Sequence, residues 1–430
     1  MRAIVNGRNK LVGFRRLRLA SFAALLVLVA ISFYSIVSVL YLRSLGGVLI
    51  PALLLGVFFY VSVKFAEMQI QPGWVLHLPH WLVIGMIVLP GIALLGQLTF
   101  NLMATDLDGK DTFQFAISFW VVGVFWFLVG AATATAELKS SNYYAIGIVV
   151  VLFSIVLIGS EGAFVIHYGN LSRGLDGIHF THLNTSDYAV FILALAYGLA
   201  STVVRYLVVL GAVSVLFALG GRSALLSFAA AVVIHQTFYA LRSAESRIWG
   251  CVVLVGALLA FFVLLSAVDV LDLAGKDLLF SQGYKSDSSV AARIEFVELA
   301  ISDLGRQALF GDPSLFVKRF STIGAYMHNL LSAWQFYGFV FFMVVVVALL
   351  GALRLAYKLR KVWNDCLSSA FGLLIVYVLI SVIVGRSVTF YLLWLVLGFW
   401  LERWILWRSF GTRDFLPATH TWRQTEVIDE

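Results

Sequence analysis

Charge is what this chain has least of. Only 12% of its 430 residues are Asp, Glu, Lys or Arg, while 61% are hydrophobic. Water-soluble domains carry about 25% charged and about 45–50% apolar residues. A soluble enzyme is therefore excluded, and a polytopic membrane protein is expected. Cysteine is scarce as well: Cys251 and Cys366 fall in or beside apolar runs, with no paired spacing. That excludes a disulfide framework and a cysteine metal site and leaves both as packing residues. Internal repeats, low-complexity tracts and a separate soluble domain are also missing, so residues 1–430 read as one integral-membrane domain.

What the chain has in abundance is apolar runs. A helix crossing about 30 Å of hydrocarbon needs roughly 20 apolar residues, and fewer where flanking groups snorkel. Twelve runs qualify: 19–42, 47–63, 81–102, 113–134, 144–166, 188–204, 206–219, 223–241, 249–270, 329–353, 367–384 and 388–401. The basic N-terminus before the first run has the look of a signal peptide. The run is long enough to cross a bilayer, however, and no small-residue cleavage site follows it, so it reads as a retained helix. The expected fold is all-α, with about 12 transmembrane helices and one large, partly helical loop at 271–328.

Basic residues in short loops mark the cytoplasmic side. The N-terminal tail carries Arg2, Arg8, Lys10, Arg15, Arg16 and Arg18. Counting spans from there puts Arg205, Arg242, Arg247, Arg354, Lys358, Arg360, Lys361, Arg408 and Arg413 on the same side. The acidic stretch ATDLDGKDT falls on the other. The formal charge of +7 thus sits at span ends rather than on one amphipathic face, which argues against a nucleic-acid partner.

Four arginines run against that rule. Arg173, Arg222 and Arg386 stand in glycine-flanked turns on the outer side, and Arg293 lies in the long outer loop. Singly, each reads as a snorkelling anchor. Together they suit an anion, because glycine lets backbone and guanidinium approach one closely. Arginine grips phosphate oxygens through paired hydrogen bonds, so a pyrophosphate on a lipid-linked sugar fits such a cluster. Neutralising that leaving group stabilises developing charge.

Within the loop, Val290, Ile294, Val297 and Ile301 recur at helical spacing over 288–304, with Asp287 or Ser288 as cap. This predicts an amphipathic surface helix with Arg293 near its start. Gly311, Asp312 and Pro313 end the region. His328 stands where the loop meets the next span and, with an ordinary pKa near ~6.5, can take a proton from a sugar hydroxyl. Asn329 beside it orients a sugar or caps the following helix; the blander reading of the pair is a helix start.

Other polar clusters weigh less. Asp106 and Asp108 form a D-x-D, better read as a solvated turn than as a metal site. His179 and His182, with His167 and Asp187 nearby, lack a ligand set at defined spacing. His77, His80 and His235 read as interfacial or packing residues.

The ordered set resembles the O-antigen polymerase and O-antigen ligase superfamily, integral-membrane glycosyltransferases of the GT-C type. GGRSALL offers the Arg-x-x-x-Leu motif at Arg222 and Leu226, and SSVAARIEF offers a second arginine, Arg293. HNLLSAWQFYG offers His328, Asn329 and Gly338, and SRGLDGIHFTHLNTSDYAVF offers Arg173. The spacing from His328 to Gly338, and LFGDP in place of a glycine-x-glycine turn, lean towards a polymerase over a ligase.

The resemblance implies a metal-independent, inverting transfer on the periplasmic face of the bacterial inner membrane, with both termini cytoplasmic and no cofactor. The donor would be a glycan on undecaprenyl pyrophosphate. The acceptor would be a second lipid-linked repeat unit in a polymerase, or the lipid A core in a ligase. His328 would be the general base, and Arg222, Arg293 and Arg173 would hold the pyrophosphate, with Asn329 and Arg386 auxiliary. A chain-length regulator and a flippase are the expected protein partners. The rival class is a polysaccharide transporter or lipid flippase, which would carry ionisable groups near the midplane and similar halves; mid-span charge and internal repeats are both scarce here.

Overall fold

The computed structural model describes residues 22, 24–33, 35–36, 78–101, 107–134, 136, 138–159, 182–240, 298, 309–313, 327, 329–359 and 365–410. Among them there is no strand. In chain order the helices are α1 (Leu78–Asn101), α2 (Leu107–Thr133), α3 (Asn142–Gly159), α4 (His182–Leu199), α5 (Thr202–Ala218), α6 (Arg222–Ala240), α7 (Ser332–Leu359), α8 (Cys366–Val384) and α9 (Tyr391–Phe410). A further helical stretch covers Ala24–Phe33. The expected spans at 47–63 and 249–270 lie outside the described residues. So does the 271–328 loop, apart from Glu298, residues 309–313 and Met327.

Among the described residues, three helices are long and apolar enough to cross a membrane: Ala116–Thr133 within α2, Ser332–Lys358 within α7, and α8. The outward surfaces of α7 and of its neighbour α1 agree with that. Ile84, Val88, Ile92 and Leu95 form an exposed apolar stripe on α1, and Val340, Met343, Val347 and Leu350 form another on α7. Contiguous apolar stripes of this length are rare on proteins bathed in water and ordinary against lipid.

The interior is built around α4 and α8, which are apolar on every side and buried over most of their length. α8 packs against α4, α6, α7 and α9, and α9 lies most extensively along α2. That last pair touches backbone to backbone. A Cβ at Gly130 would run into the Leu395 carbonyl, and one at Gly398 into the Phe127 carbonyl. Small residues permit such approach where lipid gives helices no hydrophobic reason to associate, and dispersion forces must hold them.

α7 is broken at Gly338, whose φ of 85° is a conformation that L side chains rarely adopt. A Cβ there would also collide with the Leu309 carbonyl. The break frees backbone groups, and neighbouring segments satisfy them. Gln97 Nε2 donates to Phe336 O at 2.8 Å and to Phe310 O at 2.6 Å. The Asp312 amide donates to Gln335 O at 2.8 Å. Residues 309–313 are thereby stitched into the break, with Gly311 at φ 74° completing the turn.

Candidate functional site

Four chain segments far apart in sequence meet at one end of the bundle: the first turn of α4, the start of α6, the start of α7, and the connection from α8 to α9. The contact between α4 and α6 is steric, since a Cβ at Gly221 would strike the Ser186 hydroxyl. The contact between α7 and the α8–α9 connection is hydrogen-bonded. The Leu330 amide donates to Val382 O at 2.7 Å. The Val388 amide donates to Ser332 Oγ at 2.6 Å, and Ser332 Oγ donates to Asn329 O at 2.6 Å.

Between α4 and the connection lies an ion pair. Arg386 Nη2 is 2.9 Å from Asp187 Oδ1, and the two residues are 8% and 1% exposed. The Tyr377 hydroxyl donates to the same carboxylate oxygen at 2.8 Å. Asp187 sits in α4 at the start of an otherwise apolar run, so its charge would be costly without these donors. Arg386 is held above its ordinary pKa: burial alone would lower it, but the Asp187 carboxylate and the Tyr377 hydroxyl outweigh that. The guanidinium also lies over the Phe390 ring, 5.7 Å from its centroid.

Aromatic rings surround the pair. Tyr188 stacks on Tyr391 with centroids 4.6 Å apart, and Tyr377 meets Phe390 edge to face. The Tyr188 hydroxyl is hydrogen-bonded to Ser35, which brings the N-terminal helical stretch to this end. Two buried hydroxyls, Tyr391 OH and Thr185 Oγ1, have no hydrogen-bond partner among the described residues.

Of the residues singled out in the sequence, three belong to this end. Arg222 opens α6, directly after the Gly220–Gly221 turn in which Gly220 has φ 65°; its side chain is outside what the structure describes. Asn329 is a turn residue whose Oδ1 accepts the Leu331 amide at 3.0 Å, a capping contact at the approach to α7. Arg386 is present with its charge balanced by Asp187. His328, Arg293 and Arg173 lie outside the described residues, although both sequence neighbours of His328 are fixed. The Met327 amide donates to Gln335 Oε1 at 2.9 Å, and Asn329 is held as above.

The other clusters resolve differently. Asp108, Lys110 and Asp111 lie in the first five residues of α2, so this part of the acidic stretch is helix rather than turn. Asp106, His167 and His179 lie outside the described residues. His235 is buried in α6 and its Nδ1 is 3.0 Å from the Tyr197 hydroxyl, a packing role with a satisfied ring. Among the described residues no group of three His, Cys, Asp or Glu side chains could hold a metal ion. Sequence reasoning passed over Tyr377 and Tyr391, and weighed Asp187 only as a neighbour of His179 and His182, not as the partner of Arg386. The one available signal was Asp187 itself, an acid opening an apolar span.

Comparison with family models and with curated proteins finds no match to the chain.

Proposed function

We propose that the chain is a bacterial inner-membrane glycosyltransferase with about twelve spans. On this reading it acts on the periplasmic face and passes a glycan from undecaprenyl pyrophosphate to a second lipid-linked repeat unit. The observation that carries the proposal is the meeting of the turns bearing Arg222, Asn329 and Arg386 at one end of the bundle. That is the arrangement needed if an imidazole at 328 and guanidinium groups from distant turns are to serve one pocket. His328 is the general base in this reading. Arg222, Arg293 and Arg173 hold the pyrophosphate, and Arg386 shapes the site, because its charge is already matched by Asp187.

The Asp187–Arg386 pair sits near helix ends, in the second turn of α4 and just past α8, which favours a surface-acting enzyme over a transporter. The proposal is tested by reconstituting the purified protein with lipid-linked repeat units alone. Lengthened lipid-linked chains are expected, and His328→Ala should abolish them while leaving a folded protein. Product that forms only after lipid A core is added would reassign the chain as a ligase. Wild-type chain lengthening by His328→Ala would remove the assignment of the base.

A further inference from the structure

We infer that Asp187 is a positioning residue for the catalytic turn at 327–332, acting through Arg386. The inference rests on the proposed function for what that turn does, but the coupling itself stands on geometry. Asp187 holds the Arg386 guanidinium at 2.9 Å inside the protein. Arg386 belongs to a short non-helical connection whose ends are both bonded to the turn. Val382 O, just before it, accepts the Leu330 amide at 2.7 Å. Val388, just after it, donates its amide to Ser332 Oγ at 2.6 Å, and the same hydroxyl donates to Asn329 O at 2.6 Å.

Ser332 is thus the hinge pin between the two segments. The Gln335 carboxamide accepts the Met327 amide on the far side of the turn. Backbone bonds set the course of the connection, the Gly385 and Arg386 amides donating to Ser381 O at 2.9 and 2.7 Å and the Phe390 amide to Ser387 O at 3.1 Å, and the buried ion pair chooses its position against α4. The turn flanking His328 inherits that choice. Its position matters to the chemistry because a displacement of about 1 Å at a reacting group costs up to about 100-fold in rate.

Asp187→Asn tests this, because it keeps the shape and the acceptor oxygen while removing the charge that fixes Arg386. Two readouts are needed, hydrogen exchange and steady-state kinetics, both on purified full-length protein in lipid nanodiscs. Exchange should accelerate in peptides spanning 385–390 and also in those spanning 329–332. Transfer should lose about 10–100-fold in kcat, with the KM for the lipid-linked donor nearly unchanged. Ser332→Ala, which cuts the Val388 bond while leaving the ion pair and the Leu330–Val382 bond in place, should lower kcat in the same direction. If Asp187→Asn does not fold, Asp187→Leu combined with Arg386→Met removes both charges at similar volume and takes its place.

Faster exchange confined to 385–390, or full kcat in folded protein, overturns the inference and leaves the pair a local brace. His328→Ala run in parallel separates the two failures. If it is inactive while Asp187→Asn is fully active, only the inference falls. If the wild-type protein itself shows no transfer, the functional reading falls, and the exchange data alone decide whether the two segments are coupled.

Discussion

The two ends of the bundle each contain an arginine paired with an aspartate, and they use it differently. At one end Arg403, in the second half of α9, is saturated. Its Nε donates to Ala134 O at 2.9 Å, and its Nη1 donates to Asp365 Oδ2 at 3.1 Å and also to the Ser368 hydroxyl. The guanidinium lies over Phe399, 4.4 Å from the ring centroid. Asp365 is at the same time the N-cap of α8, accepting the Ser368 amide at 2.6 Å, and its side chain keeps 33% exposure. Arg205 repeats the pattern nearby, its Nε donating to Tyr197 O and Ala200 O at the end of α4.

These are braces on helix termini, where freed carbonyls meet fixed donors. At the other end Asp187 is buried, the arginine belongs to a non-helical connection, and two hydroxyls have no partner among the described residues. A fold that needed only a brace could use the first design twice. The second design suits a place where the backbone must hold an irregular shape.

The contrast is most exposed to failure at the arginines. Arg386→Ala leaves the Asp187 carboxylate buried without its cation and should cost about 3–5 kcal/mol, read as loss of stability to denaturant in detergent. Arg403→Ala removes more hydrogen bonds, yet Asp365 can turn to water, so the loss should be smaller, about 2–3 kcal/mol. A larger loss for Arg403→Ala would erase the distinction between a solvent-relieved brace and a sealed pair. Next in size is Tyr377→Phe, which deletes one hydrogen bond to a buried carboxylate and should cost about 1.5 kcal/mol. No loss would mean that the Tyr377 hydroxyl does not support Asp187.

Much of the helical framework was legible because hydropathy reports directly on what a helix must bury. The runs at 144–166, 223–241 and 367–384 correspond to α3, α6 and α8 to within a few residues, residues 160–166 of the first lying outside the described residues. Errors arose where charge is neutralised inside the protein. The last run ends at residue 401 in the sequence, but α9 continues to Phe410 through Glu402 and Arg403, both buried. Hydropathy counts these as seeking solvent, although Arg403 has found Asp365 instead. The scarcity of mid-span charge is therefore less complete than the sequence suggested.

Arg205 was expected between two spans and lies in the first turn of α5, folded back on α4. The candidate site was legible only in part. Arg386 stood out for its glycine-flanked turn, and Gly338 for its place after the His-Asn pair. The pairing of Arg386 with Asp187 spans 199 positions, and no periodicity links residues so far apart. Tyr377 and Tyr391 read as ordinary aromatics within apolar runs, since nothing in a local pattern tells a packing tyrosine from one beside a buried ion pair.

The smallest expected effect is the one that depends most on the contrast. The Tyr391 ring is stacked on Tyr188 and 9% exposed, and its hydroxyl has no hydrogen-bond partner among the described residues. Burying a hydroxyl without a partner costs about 1–3 kcal/mol on protein scales. Tyr391→Phe keeps the stacked ring and removes only that penalty, so stability should be unchanged or rise by up to about 1 kcal/mol. Tyr377→Phe, differing by the same single atom, should move the opposite way. Two tyrosines flanking one ion pair thus give opposite signs if this end is built with hydroxyls to spare. If Tyr391→Phe instead destabilises by as much as Tyr377→Phe, its hydroxyl is bonded, for instance to a buried water, and this end is as saturated as the one around Arg403.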